Sequence, residues 1–124
     1  MKNQTICKDA PAAIGPYSQA IEANGMLFVS GQLPLNVKTG EIPENTAEQA
    51  RYCLENIKAI VTEAGGNMDG IVKCSVFLKD MNDFTEMNGV YGEFFKEPYP
   101  ARTTIEVARL PKDVKVEIDA IAVL

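Results

Sequence analysis

The sequence predicts an α+β fold, in which a mixed sheet is covered on one face by a layer of two helices. Three observations predict it. Two segments carry apolar residues every three to four positions, several shorter segments alternate apolar and polar residues, and an Asn-Gly pair joins two of these shorter segments. The 124 residues fit one domain spanning positions 1–124, because the commonest domains contain about 100–150 residues.

The first two strands are predicted to form a β-hairpin around Asn24 and Gly25. Segments 18–23 and 26–30 are strand-like, and both residues of the pair tolerate the positive φ of a two-residue hairpin turn. The segment that follows is polar and contains Pro and Gly, so we expect a surface loop there.

Two helices are predicted beyond this loop. Thr46 is the expected N-cap of the first helix, because Gln49 three residues later completes a capping box, and the glycine pair at 65–66 ends the helix. The second helix runs from about residue 83 to 95 and ends before Pro98. Its apolar side is formed by five residues, Phe84, Met87, Tyr91, Phe94 and Phe95.

Three more strands are predicted, at 71–79, 102–107 and 114–124. The last strand alternates, but its charged face ends with the apolar residues Ile121 and Val123. Its end should therefore be covered on both sides. Since one helix layer covers only one side of a sheet, the pattern predicts a homo-oligomer.

Charge and composition argue against several classes of function. There are 12 Lys and Arg against 17 Asp and Glu, and the resulting charge of −5 opposes the phosphate neutralisation that binding to nucleic acid requires. No segment matches a signal peptide or a bilayer span, so we expect no membrane association and a cytoplasmic location. The three cysteines, Cys7, Cys53 and Cys74, are widely spaced and should be reduced, the last two as small core residues.

Most catalytic motifs are missing from the sequence. Because there is no histidine, no Ser-His-Asp or Cys-His pair can form. The glycines do not form a phosphate-binding loop. Asp80, Asp83 and Glu86 lack the spacing of a calcium loop and fit helix capping better, so we expect no metal site.

Arg102 and Glu117 remain as candidates for chemistry. Arg102 enters a strand directly behind Pro100, and its planar guanidinium matches a carboxylate bidentately. Glu117 could orient or deprotonate water. The plainer alternative is that Arg102 pairs with an acidic neighbour such as Glu106 and that Glu117 is a solvated strand residue. Spacing alone favours this alternative.

Four other residues have ordinary structural explanations when taken singly. Tyr17 follows a Gly-Pro turn, and Asn88 is a polar residue on the second helix. Ser30 and Gly31 end a hairpin strand, where the missing Cβ permits a close backbone approach. A functional role for these four residues needs evidence other than their positions in the sequence.

That evidence comes from motifs distributed along the chain. Four separated segments occur in order, AAIGPYSQA at 12–20, VSGQLP at 29–34, VFLKDM at 76–81 and PARTT at 100–104, followed by VARLPKD at 107–113 and VEIDA at 116–120. Together they closely resemble the Rid family of reactive intermediate deaminases, also called YjgF, and most of all its RidA subgroup. The resemblance covers essentially the whole chain.

The resemblance implies a fold like that of the trimeric bacterial chorismate mutases, with a central barrel of sheets, helices outside and three ligand clefts between subunits. It also implies an enzyme that hydrolyses 2-imino acids, such as 2-iminobutanoate and 2-iminopropanoate, to 2-keto acids and ammonia. These substrates arise from pyridoxal-phosphate dehydratases acting on threonine and serine. No cofactor is implied for the hydrolysis itself.

The resemblance also assigns roles to residues of this chain. Arg102 corresponds to the carboxylate-binding arginine and Glu117 to the water-positioning glutamate. Many relatives have cysteine where this chain has Thr104, whose backbone N–H is expected to assist substrate binding. The other cleft residues are Tyr17, Ser30, Gly31 and Asn88.

Three alternative functions stay open at this point. A non-enzymatic binder of small 2-keto or carboxylic acids would need Arg102 but not Glu117. An endoribonuclease or translation inhibitor, an activity ascribed to some relatives, is disfavoured by the acidic charge. Chorismate mutase activity has only the analogy of fold in its favour.

Overall fold

The computed structural model describes residues 1–124 and confirms a mixed sheet with two α-helices. The sheet has six strands, because a short strand near the N-terminus joins the five that the sequence predicted. The strands are β1 (Asn3–Thr5), β2 (Ala20–Ala23), β3 (Met26–Gln32), β4 (Ile71–Leu78), β5 (Ala101–Glu106) and β6 (Val116–Val123). The helices are α1 (Thr46–Glu63) and α2 (Phe84–Phe94). The strand order is β1-β2-β3-β6-β4-β5, and only the β4/β5 pair is parallel.

The predicted hairpin is confirmed. Ala23 pairs with Met26, and the two residues between them, Asn24 and Gly25, have φ angles of 52° and 74°. Positive φ at both turn positions matches the right-handed twist of the flanking strands, and the Asn-Gly pair supplies it at little cost.

The start of α1 differs from the prediction by one residue. Asn45 is the N-cap, and its side chain accepts a hydrogen bond of 2.8 Å from the Glu48 N–H. Thr46 instead donates its hydroxyl proton to Asp83, with 2.7 Å between the two oxygens. Thr46 and Gln49 are both almost fully buried and are used in tertiary contacts, which sequence spacing could not indicate.

Both helices pack on one face of the sheet around a single core of 23 buried residues. No element of the chain covers the opposite face, where Phe28, Ile105 and Val123 are 46%, 44% and 47% exposed. These exposed apolar side chains lie on the face to which the sequence assigned the apolar end of β6, the face that it predicted to meet another subunit.

No helix of the protein combines the length and the apolar composition that crossing a bilayer requires.

Candidate functional site

Strand register places the two principal candidates on opposite faces of the sheet. Arg102 on β5 pairs with Cys74 of β4, whose side chain is buried under the helices. Glu117 on β6 pairs with Phe77 of β4, whose side chain points to the other face because adjacent strand residues alternate. With β4 between them, β5 and β6 run about 10 Å apart.

Arg102 is held by residues of α2. Its Nη1 donates a hydrogen bond of 2.7 Å to Oδ1 of Asn88. Its guanidinium carbon lies 4.7 Å from the ring centroid of Tyr91 and 5.5 Å from that of Phe84. None of the four ion pairs in the protein involves Arg102. Its positive charge therefore has no carboxylate partner within the chain.

The pairing of Arg102 with Glu106 that spacing favoured is wrong. Glu106 lies on the same face of β5, but its Oε1 accepts a hydrogen bond of 2.9 Å from the Met81 N–H. The carboxylate is thus used to hold the turn before α2 and does not neutralise the arginine.

Arg102 opens into a concavity of about 480 Å³. We call it the arginine half-site, and it is lined by Asn88, Tyr91, Gly92, Tyr99, Pro100 and Arg102. Thr104 lies two residues further along β5 on the same face, and its hydroxyl is buried without a hydrogen-bond partner.

Glu117 lies beside a bulge in β3. Between Val29 and Gln32, β3 contains one residue more than the matching stretch of β6, and the extra length falls at Ser30 and Gly31. A Cβ atom at Gly31 would overlap Oε2 of Glu117. The glycine is therefore required so that the carboxylate can lie against the backbone.

The electrostatics of Glu117 favour proton transfer. Burial first, and then the negative charge of Asp119 two residues away on the same face, raises the pKa of Glu117 above the ordinary value. No hydrogen-bond donor of the chain offsets this shift. A carboxylate with a raised pKa is a better proton acceptor than an ordinary glutamate near neutral pH.

Tyr17 and Ser30 lie on the Glu117 side of the molecule. Tyr17 is 54% exposed behind a turn at Gly15, which has a φ of 121°, and lines a concavity of about 260 Å³ together with Gly31. The Ser30 hydroxyl donates a hydrogen bond of 2.6 Å to the Ser18 carbonyl. We call the group of four residues the glutamate half-site, namely Tyr17, Ser30, Gly31 and Glu117.

Gln19 supports this half-site and was missed by sequence reasoning. Its buried side chain accepts a hydrogen bond of 2.7 Å from the Cys7 N–H and donates to the carbonyls of Cys7 and Pro11 at 2.9 and 2.8 Å. These hydrogen bonds tie residues 7–11 to the start of β2, and the segment that carries Tyr17 lies between the two. Nothing in the spacing of the sequence singles out this glutamine.

Phe84 and Tyr91 were assigned only to the apolar side of α2, yet they contact Arg102. A signal for this was present in the sequence. Phe84, Asn88 and Tyr91 are spaced i, i+4 and i+7, which places them on one face of a helix. Asn88, a polar residue between two aromatic residues on this face, indicates that the face contacts a polar group.

The cysteines have the structural role that was predicted. All three are buried and free of disulfide bonds. Burial raises the pKa of Cys53 and, with a smaller opposing contribution from Tyr91, the pKa of Cys74 to about 11. Both thiols are therefore protonated at neutral pH and pack as small apolar groups.

The fold and the guanidinium of Arg102 define the class of this protein, a small α+β protein with an arginine that lines a concavity and has no carboxylate partner in its own chain. Residues 7–124 match the family described as endoribonuclease L-PSP. The 2-iminobutanoate/2-iminopropanoate deaminase of Escherichia coli is 53% identical over 126 residues, covering 99% of this chain and 98% of the relative. The chain belongs to the endoribonuclease L-PSP family, the Rid or YjgF family that its motifs resemble.

Solved structures agree with this assignment. The crystal structure of E. coli TdcF with bound serine has a TM-score of 0.94 and 50% sequence identity, covering 98% of each chain. The structure of the YjgF gene product from E. coli has a TM-score of 0.93 and 53% identity, again over 98% of each chain.

Proposed function

We propose that this protein is a 2-iminobutanoate/2-iminopropanoate deaminase, which hydrolyses reactive enamine and imine products of dehydratases without a cofactor. The observation that carries the proposal is Arg102, a positioned guanidinium with no carboxylate partner in its own chain. The name of the E. coli relative and the serine bound to TdcF, a small amino acid with a carboxylate, support it.

In the proposed mechanism, Arg102 binds the substrate carboxylate through two parallel hydrogen bonds. Backbone N–H groups near Gly31 and Thr104 assist, and Tyr17, Ser30 and Asn88 shape the cleft. This fixes the carbon of the C=N bond beside a water molecule, so that an intermolecular addition becomes an addition within one complex.

Glu117 orients that water and accepts its proton as the oxygen adds to the imine carbon. The proton passes to the substrate nitrogen and gives a carbinolamine. A second proton then moves from its hydroxyl group through Glu117 to the nitrogen as the C–N bond breaks, so that a 2-keto acid and ammonia leave. Imines are electrophilic already, so acid–base help of about 10²–10⁴-fold suits the reaction.

We further propose that each complete site forms between two copies of the chain. Arg102 and Glu117 lie on opposite faces, and no residue of the glutamate half-site lines the concavity beside Arg102. A substrate as small as an imino acid cannot contact both within one protomer. A homotrimer with three intersubunit clefts would bring the two half-sites together and cover the exposed side chains of Phe28, Ile105 and Val123.

A coupled assay tests the activity. A threonine dehydratase generates 2-iminobutanoate while semicarbazide competes for the imine, and 2-ketobutyrate release is followed. We expect acceleration by this protein and none by Arg102→Ala. The matched control is Arg51→Ala, because Arg51 forms an exposed ion pair with Glu93 away from both half-sites. Release no faster than in buffer would contradict the proposal.

Complementation tests the shared site. Arg102→Ala and Glu117→Ala chains carrying different tags are coexpressed, and trimers containing both are isolated through the two tags. Each mixed ring then has one cleft with both residues intact, so we expect about one third of the wild-type activity. Trimers of either variant alone should be inactive. Mixed trimers without activity would place both residues in the same protomer's site.

The description of the family favours one second candidate, an endoribonuclease. The charge of −5 argues against it, because RNA binding depends on neutralising phosphates. RNA cleavage that Arg102→Ala abolishes, with a steep dependence on salt, would support the second candidate instead.

A further inference from the structure

One face of α2 is devoted to the guanidinium of Arg102. Phe84, Asn88 and Tyr91 occur at successive turns of the helix, and all three contact the same group. Arg102 itself lies on β5, the edge strand of the sheet, so strand packing on its outer side does not restrain it.

We propose that Phe84 and Tyr91 are positioning residues that hold the plane of the Arg102 guanidinium, so that its donor edge stays directed at the ligand carboxylate. Asn88 completes the arrangement by accepting a hydrogen bond from Nη1 at 2.7 Å. This inference rests on the proposed function and adds the means by which the carboxylate-binding group is kept in place.

Aromatic and carboxylate neighbours occupy different parts of an arginine. The N–H donors of a guanidinium point outward in its plane, whereas an aromatic ring contacts the cation through its face. An Asp or Glu partner would also restrain Arg102, but it would occupy the donors that a ligand carboxylate needs. Aromatic contacts restrain the group and leave those donors available.

The ring of Tyr91 is itself firmly held. Tyr91 is 5% exposed, and its ring centroid lies 4.6 Å from that of Phe95 at a tilt of 41°. Its hydroxyl is buried without a hydrogen-bond partner of good geometry, so the ring and not the hydroxyl accounts for its contact with Arg102. The arginine is thus connected through two rings to the core.

The proposal predicts a specific defect when a ring is removed. A mobile arginine still attracts ligands but loses the geometry that distinguishes a carboxylate from a neutral group. Loss of the Tyr91 ring should therefore weaken the binding of carboxylate ligands more than the binding of their amides. A general loosening of the fold would weaken both equally.

The test compares 2-ketobutyrate with its neutral carboxamide by titration calorimetry on the wild-type protein and on Tyr91→Leu, Phe84→Leu and Tyr91→Phe. In Tyr91→Leu we expect the preference for the carboxylate to fall about tenfold, and in Phe84→Leu by a smaller factor because that ring is farther away. Tyr91→Phe keeps the ring and should restore the preference. KM in the coupled assay should rise in the Leu variants more than kcat falls.

An unchanged preference in Tyr91→Leu, or an equal loss for both ligands, would overturn the proposal. If Tyr91→Leu does not fold, Phe84→Leu decides in the same way, because Phe84 is only half-buried. Failure of the proposed function has a different outcome, since the wild-type protein would then not hydrolyse the imine, whereas failure of this inference leaves hydrolysis by the wild-type protein intact.

Discussion

The two half-sites lie on one sheet but are built in opposite ways. In the arginine half-site, side chains of α2 hold a charged group through one hydrogen bond and two rings. In the glutamate half-site, the backbone does the positioning, since the bulge in β3 and the missing Cβ of Gly31 make room for the carboxylate of Glu117.

The difference matches the two tasks in the proposed reaction. Binding a carboxylate needs a permanent charge with fixed donors, which side-chain contacts provide without using the donors. Accepting a proton needs a group whose charge is only weakly favoured, and partial burial beside Asp119 provides that for Glu117. The arginine half-site therefore restrains Arg102 through contacts with α2. In the glutamate half-site, no hydrogen-bond donor of the chain stabilises the charge of Glu117, so its pKa stays raised.

Replacing the reactive group should have the largest effect. We expect Glu117→Gln to lower kcat for 2-iminobutanoate hydrolysis by about 10²–10⁴-fold, because the amide cannot accept a proton from water. Binding of 2-ketobutyrate, measured by calorimetry, should persist. If binding and hydrolysis were lost together, the two half-sites would not divide binding from proton transfer, and if hydrolysis persisted, Glu117 would not be the base.

Replacing the binding group should come next. We expect Arg102→Ala to lower kcat/KM by about 10²–10³-fold, as is typical when one partner of a desolvated charge pair is removed. Arg102→Lys should recover only part of this loss, because an ammonium group keeps the charge but lacks the planar fork. Full recovery by lysine would mean that charge alone suffices and that the geometry given by α2 is unimportant.

A change that moves Glu117 without removing it should have an intermediate effect. A methyl group at Gly31 collides with its carboxylate, so we expect Gly31→Ala to lower kcat by up to about 10²-fold through misplacement of the base. Gly89→Ala is the matched control, since a Cβ there meets nothing within 4 Å. Equal activities of the two variants would show that the bulge does not position Glu117.

The smallest expected effect concerns pH. Because the pKa of Glu117 is raised, the carboxylate becomes protonated, and activity falls, at a higher pH than an ordinary glutamate would give. Asp119→Asn removes the second cause of the shift and should move this acid limb of kcat/KM to lower pH. The amide can still accept the hydrogen bond that Asp119 receives from the Ser75 N–H at 3.1 Å. An acid limb that stays in place would assign the limb to another group.

Local patterns predicted much of the fold. The Asn24-Gly25 turn, both helices and the alternation of β6 follow from nearest-neighbour chemistry, so they could be identified without tertiary information. The cap of α1 could not be assigned correctly in this way. Asn45 and Thr46 are both good caps by type, and only the contact of Thr46 with Asp83 decides between them.

Sequence spacing predicted the site less completely than it predicted the fold. Spacing favoured pairing of Arg102 with Glu106, which is one step along the same strand face, and only motif resemblance selected the functional interpretation. Whether Glu106 turns toward Arg102 or toward the Met81 N–H depends on how the turn before α2 packs against β5. Local sequence carries no information about that packing.

The sequence by itself determined both helices and every strand except β1, the reduced core cysteines and the absence of any histidine-based chemistry, because periodicity, composition and turn propensity are local properties. The tertiary structure alone decided that Arg102 and Glu117 face opposite sides and that Phe84 and Tyr91 contact the arginine. Register between strands and the docking of a helix on a sheet join residues far apart in the chain, and these relations exist only after the chain has folded.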